Sequence, residues 1–240
     1  MPNLALLRHG QSQWNLENRF TGWVDVDLTP EGENQARSAG ALLRDCGVEF
    51  ARVHTSVLTR AIRTANLALD AMAQAWLPLH KDWQLNERHY GALTGLDKAQ
   101  TAKAHGEDQV RIWRRSFDIA PPPLAPGGIY AFEADRRYAR IGQIPNTESL
   151  LDTLERVLPF FEASLAPALR AGEDLLIVAH GNSLRAIVKH MMELSNEAIT
   201  QLEIPTGNPL LLDLAPDLTI RQARYLDAQR AQPLPKGARA

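Results

Sequence analysis

Two histidines carry the chemistry that this sequence offers. His9 ends the run Asn3-Leu4-Ala5-Leu6-Leu7-Arg8 and precedes Gly10. His180 ends the run Asp174-Leu175-Leu176-Ile177-Val178-Ala179 and precedes Gly181. A neutral imidazole is a competent nucleophile toward phosphorus and a recognised covalent catalyst. Attack needs one ring nitrogen unprotonated and the other held by a hydrogen bond. A transferring phosphoryl group spreads negative charge over three oxygens, so fixed cations must surround it. Arg8 adjoins His9. Arg60, in Thr59-Arg60-Ala61-Ile62-Arg63-Thr64, falls near a helix start, where the helix dipole also favours an anion. The planar fork of arginine meets phosphate with two hydrogen bonds. His180, if protonated, adds a further donor. Glu87, set among Asn86, Arg88, His89 and Tyr90, either carries a proton to the leaving oxygen or pairs with Arg88.

The elements that must position these groups follow from pattern. A short apolar run closed by Gly reads as a buried strand. Ligands of open α/β sheets bind at strand C-terminal tips. Both histidines are therefore expected at the tips of neighbouring strands, with the glycine after each letting backbone approach a ligand. Residues 11–23 are polar and aromatic without a period, and read as a functional loop or short helical turn. Thr29-Pro30-Glu31 announces a helix running to Gly47, with Thr29 as N-cap and Pro30 at its first position. Residues 49–56 read as a second strand, 57–72 as a helix and 76–80 as a third strand. Residues 97–105 and 107–117 read as short helices, and the proline- and glycine-rich stretch 121–128 as irregular. Residues 147–170 read as a helix with Thr147 as N-cap, kinked or divided at Pro159 and Pro167. A helix over 183–194 and a strand over 209–214 complete the reading.

This alternation predicts one α/β domain over residues 1–240: three layers, α/β/α, with a mostly parallel central sheet and helices on both faces. Residues 86–146 are expected to be a lid-like, substrate-binding insertion, and 227–240 a mobile C-terminal tail. With 240 residues, 45% of them hydrophobic, the chain can bury a sizeable core. A net charge of −2 gives no general attraction to nucleic acid or to an anionic membrane. The single Cys46 excludes an intramolecular disulfide and a cysteine metal cage, and no metal-ligand spacing is present. No apolar run reaches the roughly 18 residues of a membrane span, and no basic-then-apolar leader opens the chain, so a cytoplasmic enzyme is expected. The absence of Gly-x-Gly-x-x-Gly after a strand argues against a dinucleotide-binding fold.

Beyond these readings, several blocks resemble the cofactor-dependent phosphoglycerate mutases of the histidine phosphatase superfamily. They are Arg8-His9-Gly10 with Ser12, Trp14 and Asn15, Phe20-Thr21-Gly22-Trp23, Thr55-Ser56-Val57-Leu58 with Arg60-Ala61-Ile62, and Leu85-Asn86-Glu87-Arg88-His89-Tyr90-Gly91. Trp113-Arg114-Arg115-Ser116, Glu148-Ser149-Leu150 and Ala179-His180-Gly181-Asn182-Ser183-Leu184-Arg185-Ala186 complete the set, which spans about Leu4 to Leu214. Arg-His-Gly marks only the superfamily, whereas the Asn-Glu-Arg-His-Tyr-Gly and Trp-Arg-Arg-Ser blocks are more specific to the mutases. The resemblance implies that 2,3-bisphosphoglycerate phosphorylates His9, and that 3-phosphoglycerate and 2-phosphoglycerate interconvert through the phosphohistidine and a bisphosphoglycerate intermediate, in glycolysis and gluconeogenesis. It implies Glu87 as proton donor and acceptor, with Arg8, Arg60 and His180 holding the phosphoryl group. It assigns Asn15, Thr21, Gly22, Arg88, Tyr90, Lys98, Arg114, Arg115, Gly181 and Asn182 to the rest of the ligand. It implies no metal, and a homodimer or homotetramer.

Charge agrees with this. Phosphoglycerate carries roughly −3 and bisphosphoglycerate roughly −5 near neutral pH, so a chain of net charge −2 must concentrate cations locally. Arg8, Arg60, Arg88, Lys98, Arg114 and Arg115 would do so. Arg114 and Arg115 project about 100° apart in mid-helix, so they either share a ligand near a helix end or form a solvated face anchored by Trp113. Three features depart from the family. Gln11 stands where glutamate is usual, which removes a charge beside His9 and is expected to tune the site. His54 replaces a common tyrosine and reads as structural. Residues 124–132 match poorly. Trp14 and Trp23 read as packing residues. The competing readings are a phosphatase of the same superfamily, which would release phosphate to water, and a weakly catalytic regulatory protein.

Overall fold

A computed structural model describes residues 1–235. In chain order the elements are β1 (Asn3–Arg8), α1 (Gln13–Leu16), α2 (Pro30–Asp45), β2 (Arg52–Thr55), α3 (Thr59–Ala71) and β3 (Leu79–Lys81). They continue with α4 (Lys98–His105), α5 (Glu107–Arg115), α6 (Leu150–Phe160), α7 (Ala166–Arg170), β4 (Leu175–Ala179), α8 (Gly181–Met191), α9 (Asn196–Gln201), β5 (Leu210–Leu214) and β6 (Ile220–Tyr225). The six strands form one sheet in the order β3-β2-β4-β1-β5-β6. The β3–β2, β2–β4 and β4–β1 pairs are parallel, and β5 and β6 add two antiparallel pairings at one edge.

Side-chain alternation along β1 divides the core. Leu4 and Leu6 point to one face, where Val157 of α6 and Leu184, Ile187 and Val188 of α8 cover them. Ala5 and Leu7 point to the other, against Ala39 and Leu43 of α2 and Ala65 and Leu69 of α3. The central β4 is buried at every residue, which explains its unbroken apolar run. The expected three layers are therefore present.

Local chemistry sets the helix starts. The Thr29 hydroxyl accepts the Gly32 N–H at 3.1 Å, with Pro30 in the first turn of α2. Helix α3 has no side-chain cap of its own. Asp25 serves instead, accepting the Thr59 N–H at 2.6 Å and the Thr59 hydroxyl at 2.8 Å.

Several expectations are corrected. Helix α6 is capped by Ser149, not Thr147, because Ser149 and Asp152 close a reciprocal capping box. The Thr147 hydroxyl instead donates to the Pro121 carbonyl at 2.7 Å. Pro159 lies inside α6 without breaking it. A π-helical segment over Phe161–Leu165 then separates α6 from α7, whose first turn carries Pro167, so the expected helix is divided there. Helix α8 begins at Gly181, two residues early, with His180 at the N-cap position. The third strand is displaced to Leu79–Lys81, and Trp76 is 77% exposed. Helix α9 and strand β6 are unforeseen. Strand β6 is an edge strand whose exposed Arg221, Gln222 and Arg224 mask its strand pattern. Gly10 is required by packing rather than by a ligand: a Cβ there would lie 2.1 Å from the Gly32 carbonyl oxygen.

The tail expected to start at Asp227 has a docked first turn. Asn208 exchanges hydrogen bonds with the Asp227 backbone at 2.9 and 3.0 Å, and Arg230 donates to the Thr206 and Gly207 carbonyls at 3.2 and 3.0 Å. Residues 236–240 of that tail lie outside the described residues. Among the described residues no helix is long and apolar enough to cross a membrane.

Candidate active site

The β1–β4 ladder places the two histidines. Arg8 is in register with Ala179, so His9 and His180 each stand one residue past the paired tips. The His9 N–H extends the ladder, donating to the Ala179 carbonyl at 3.0 Å. The two rings meet edge to face, 4.9 Å apart at 63°.

The His9 Nδ1 lies 2.7 Å from the Gly10 carbonyl oxygen. A carbonyl only accepts, so Nδ1 carries the proton and Nε2 keeps its lone pair. Burial, then the charges of Arg60 and Arg8, push the pKa of His9 well below its ordinary value. His180 is driven down in the same way, by burial and then by Arg60. Its Nε2 shares a 2.7 Å hydrogen bond with the Ser56 hydroxyl, while its Nδ1 is buried without a partner.

Arg60 is 1% exposed and is gripped by two carbonyls, Val24 at 2.9 Å and Gly22 at 2.8 Å. Gly22 takes φ +53°, and a Cβ there would crowd the Tyr90 nitrogen at 3.2 Å. Gly22 therefore supports Arg60 and does not line the cavity. Arg8 donates Nη1 to the Ile204 carbonyl at 2.9 Å and keeps a buried Nε without a partner.

Glu87 is 9% exposed and faces the N-terminus of α8. Its Oε1 accepts three N–H groups: Arg88 backbone at 2.7 Å, Asn182 side chain at 2.7 Å and Asn182 backbone at 3.3 Å. The alternative pairing with the Arg88 guanidinium is not formed. That guanidinium donates Nη2 to the Arg114 carbonyl and lies 4.8 Å over the Tyr90 ring.

A buried clamp holds the segment that carries Glu87. Arg156 of α6 donates to Glu148 at 2.6 and 3.0 Å and to the carbonyls of Gln84, Asn86 and Glu87 at 2.6, 3.1 and 3.0 Å. Trp23 adds its indole N–H to the Glu87 carbonyl at 2.6 Å, confirming its packing role. The Glu148 carboxylate accepts the His89 N–H at 2.7 Å.

One cavity gathers most of the expected residues. Arg8, His9, Asn15, Thr21, Arg60, Glu87, Tyr90, Lys98, Arg114, Arg115, Gly181 and Asn182 line it. His180 stands behind the wall against His9, and Arg88 is wholly buried beneath Tyr90. Sequence reading missed four liners: Arg19, Phe20, Arg185 and Glu203. The signal for Arg185 was its place three residues after Asn182 on α8, where the two side chains share a face and hydrogen bond at 3.0 Å. Glu203 had no such local signal. Seven of the lining side chains are cationic, Arg8, Arg19, Arg60, Lys98, Arg114, Arg115 and Arg185, against the carboxylates Glu87 and Glu203. Burial, with the charges of Arg114 and Arg8, lowers the Lys98 pKa to about 8. Arg114 and Arg115 both reach the cavity because they occupy the last turn of α5.

Gln11 does not line the cavity. Its side-chain carbonyl accepts the Thr29 hydroxyl at 2.9 Å, tying the site loop to the start of α2. His54 is structural, hydrogen-bonded to Asp82 at 2.9 Å and stacked on His80. A neutral nucleophile, convergent cations and a carboxylate at a helix N-terminus are together equipped for phosphoryl transfer through His9.

Comparison with known proteins agrees with this reading. Residues 4–219 match the model of the histidine phosphatase superfamily, branch 1. A 2,3-bisphosphoglycerate-dependent phosphoglycerate mutase of Caulobacter sp. (strain K31) is 66% identical over 98% of this chain and 99% of its own. The mutase of the same name from Hyphomonas neptunium is 60% identical, with the same coverage. Among solved structures, a mycobacterial glucosyl-3-phosphoglycerate phosphatase shares the fold at 22% identity, with a TM-score of 0.69 over 93% of this chain and 96% of that one. The chain therefore belongs to the histidine phosphatase superfamily and, within it, to the family of the 2,3-bisphosphoglycerate-dependent phosphoglycerate mutases.

Proposed function

We propose that this chain interconverts 3-phosphoglycerate and 2-phosphoglycerate by way of a phosphorylated His9, in glycolysis and gluconeogenesis. The observation that carries the reading is the His9 ring, with Nδ1 committed to the Gly10 carbonyl and Nε2 unprotonated, in a cavity lined by seven cations. The high identity to relatives bearing the mutase name supports it.

His9 Nε2 attacks phosphorus while Gly10 holds the ring in its reactive tautomer. Arg8 and Arg60 meet the phosphoryl oxygens, and the orphaned Arg8 Nε is an N–H that a ligand oxygen would satisfy. A bound phosphoryl group offsets the arginine charges that keep His180 neutral. His180 then takes up a proton and becomes a donor. Glu87 accepts the proton of the attacking hydroxyl and returns it to the departing oxygen, with Asn182 and the Arg88 N–H fixing its orientation. Lys98, Arg114 and Arg115 hold the rest of the ligand, with Asn15, Thr21 and Tyr90 beside them. The residues fit a bisphosphorylated ligand of roughly −5 charge, given seven cations and the unsatisfied Arg8 Nε. When bound, 2,3-bisphosphoglycerate supplies the phosphoryl group that primes His9. Residues 86–146 act as the wall that keeps water from the phosphohistidine.

The test is conversion of 3-phosphoglycerate by purified protein in EDTA, with and without trace 2,3-bisphosphoglycerate, with free phosphate followed in parallel. The expected result is primed isomerisation with little phosphate release. Phosphate release without isomerisation would make the chain a phosphatase.

A further inference from the structure

Glu203 is out of place. It lies between α9 and β5, and it lines both the His9 cavity and the larger cavity beside it, which Lys98, Arg114 and Arg115 also line. A site that collects anions gains nothing in ground-state attraction from a second carboxylate. Unlike Glu87, Glu203 makes no hydrogen bond to the α8 N-terminus. Its Oε1 instead accepts from Arg115 Nη2 in a close ion pair that joins the end of α5 to the segment before β5.

Its backbone is pinned on both sides. Tyr225 donates its hydroxyl to the Glu203 carbonyl at 3.2 Å, and Arg8 donates to the next carbonyl, Ile204, at 2.9 Å. Leu202 and Ile204 are buried. The carboxylate, by contrast, is 48% exposed and its Arg115 partner 33% exposed, so the pair can open without unfolding anything. Burial raises the Glu203 pKa, but the Arg115 hydrogen bond and the charges of Arg115, Arg8 and Arg185 outweigh it, and the group is an anion at neutral pH.

We propose that Glu203 is the resident counter-anion of the cavity: it occupies Arg115 until a phosphate or carboxylate of the incoming ligand displaces it, and so limits how tightly the site holds polyanions. The proposal rests on the reading of the cavity as a phosphoglycerate site. A displaced carboxylate repels every ligand charge, so its effect is larger for a more highly charged ligand. A site with seven cations that must also release its product gains turnover from such a weakened hold.

The experiment is calorimetric titration of wild type and Glu203→Gln with inorganic pyrophosphate, at low and at high salt, alongside steady-state assay with 3-phosphoglycerate. Glu203→Gln keeps the shape and removes the charge. The expected result is pyrophosphate binding about fivefold tighter in Glu203→Gln, the upper range for a partly exposed ion pair, with the difference lost in high salt. KM for 3-phosphoglycerate falls as well. In an Arg115→Gln background the gain shrinks, because no pair remains to be broken. Equal or weaker pyrophosphate binding in Glu203→Gln, with isomerisation intact, overturns the role of Glu203 alone. Failure of the wild type both to bind pyrophosphate and to isomerise 3-phosphoglycerate overturns the site reading with it.

Discussion

The rings of His9 and His180 stand 4.9 Å apart because Arg8 and Ala179 are partners in the parallel β1–β4 ladder. A one-residue slip of β1 against β4 would leave the two rings on opposite faces of the sheet. The same strand ends bring Arg8 beside the pair, and α3 delivers Arg60, so two neutral histidines are held among permanent cations. That arrangement suits an incoming dianion.

Replacing the nucleophile is the most direct test. His9→Ala is expected to abolish both the phosphoenzyme, read by intact mass spectrometry after priming, and the isomerisation, by at least about 10⁴-fold. Its far-UV circular dichroism remains that of the wild type.

Three buried histidines make stability fall in acid. His9 and His180 are depressed well below 6.5, and burial followed by Arg156 lowers His89 to about 4. The unfolded chain takes up protons at these positions near pH 6.5 while the folded chain does not. The stabilisation is therefore present above about pH 6.5 and is lost as pH falls toward 4. The share of His89 alone is about 3 kcal/mol. Urea unfolding at pH 7, 5.5 and 4.5 measures the slope, and His89→Asn should flatten part of it.

Lys98 should impose a basic limb on ligand affinity. Its pKa of about 8 leaves it charged at pH 7 and neutral at pH 9. KM for 3-phosphoglycerate is expected to rise across that interval, with an inflection near 8. Lys98→Arg, charged throughout, should abolish the rise. A rise that persists in the arginine variant would assign it to another group.

Arg156 should matter at a distance from the ligand. Arg156→Met leaves Glu148 buried and unpaired, which costs about 3–5 kcal/mol, and frees the carbonyls of Gln84, Asn86 and Glu87. Thermal unfolding should reveal the loss. At a temperature where the variant remains folded, kcat should drop more than KM changes, because Glu87 is displaced while the ligand-binding cations are untouched.

Much of this protein is determined by local sequence. The apolar runs before His9 and His180 specify two buried strands, and Thr29-Pro30 starts α2 where capping chemistry says it must. The cations expected to gather do so, apart from Arg88, which lies beneath Tyr90. Tertiary structure alone decided the rest. Carbonyls distant in sequence aim Arg60, and a neighbouring helix dictates Gly10. Thr147 was drawn to the distant Pro121 carbonyl, although the Ser149–Asp152 capping box that starts α6 is itself local. Glu203 met Arg115 only because α5 folds over the segment before β5. Periodicity and capping are interactions within a few residues, so one strand or helix displays them whole. Hydrogen-bonded partners from 26 to 88 residues apart are set by sheet register and close packing, which exist only once every layer is in place.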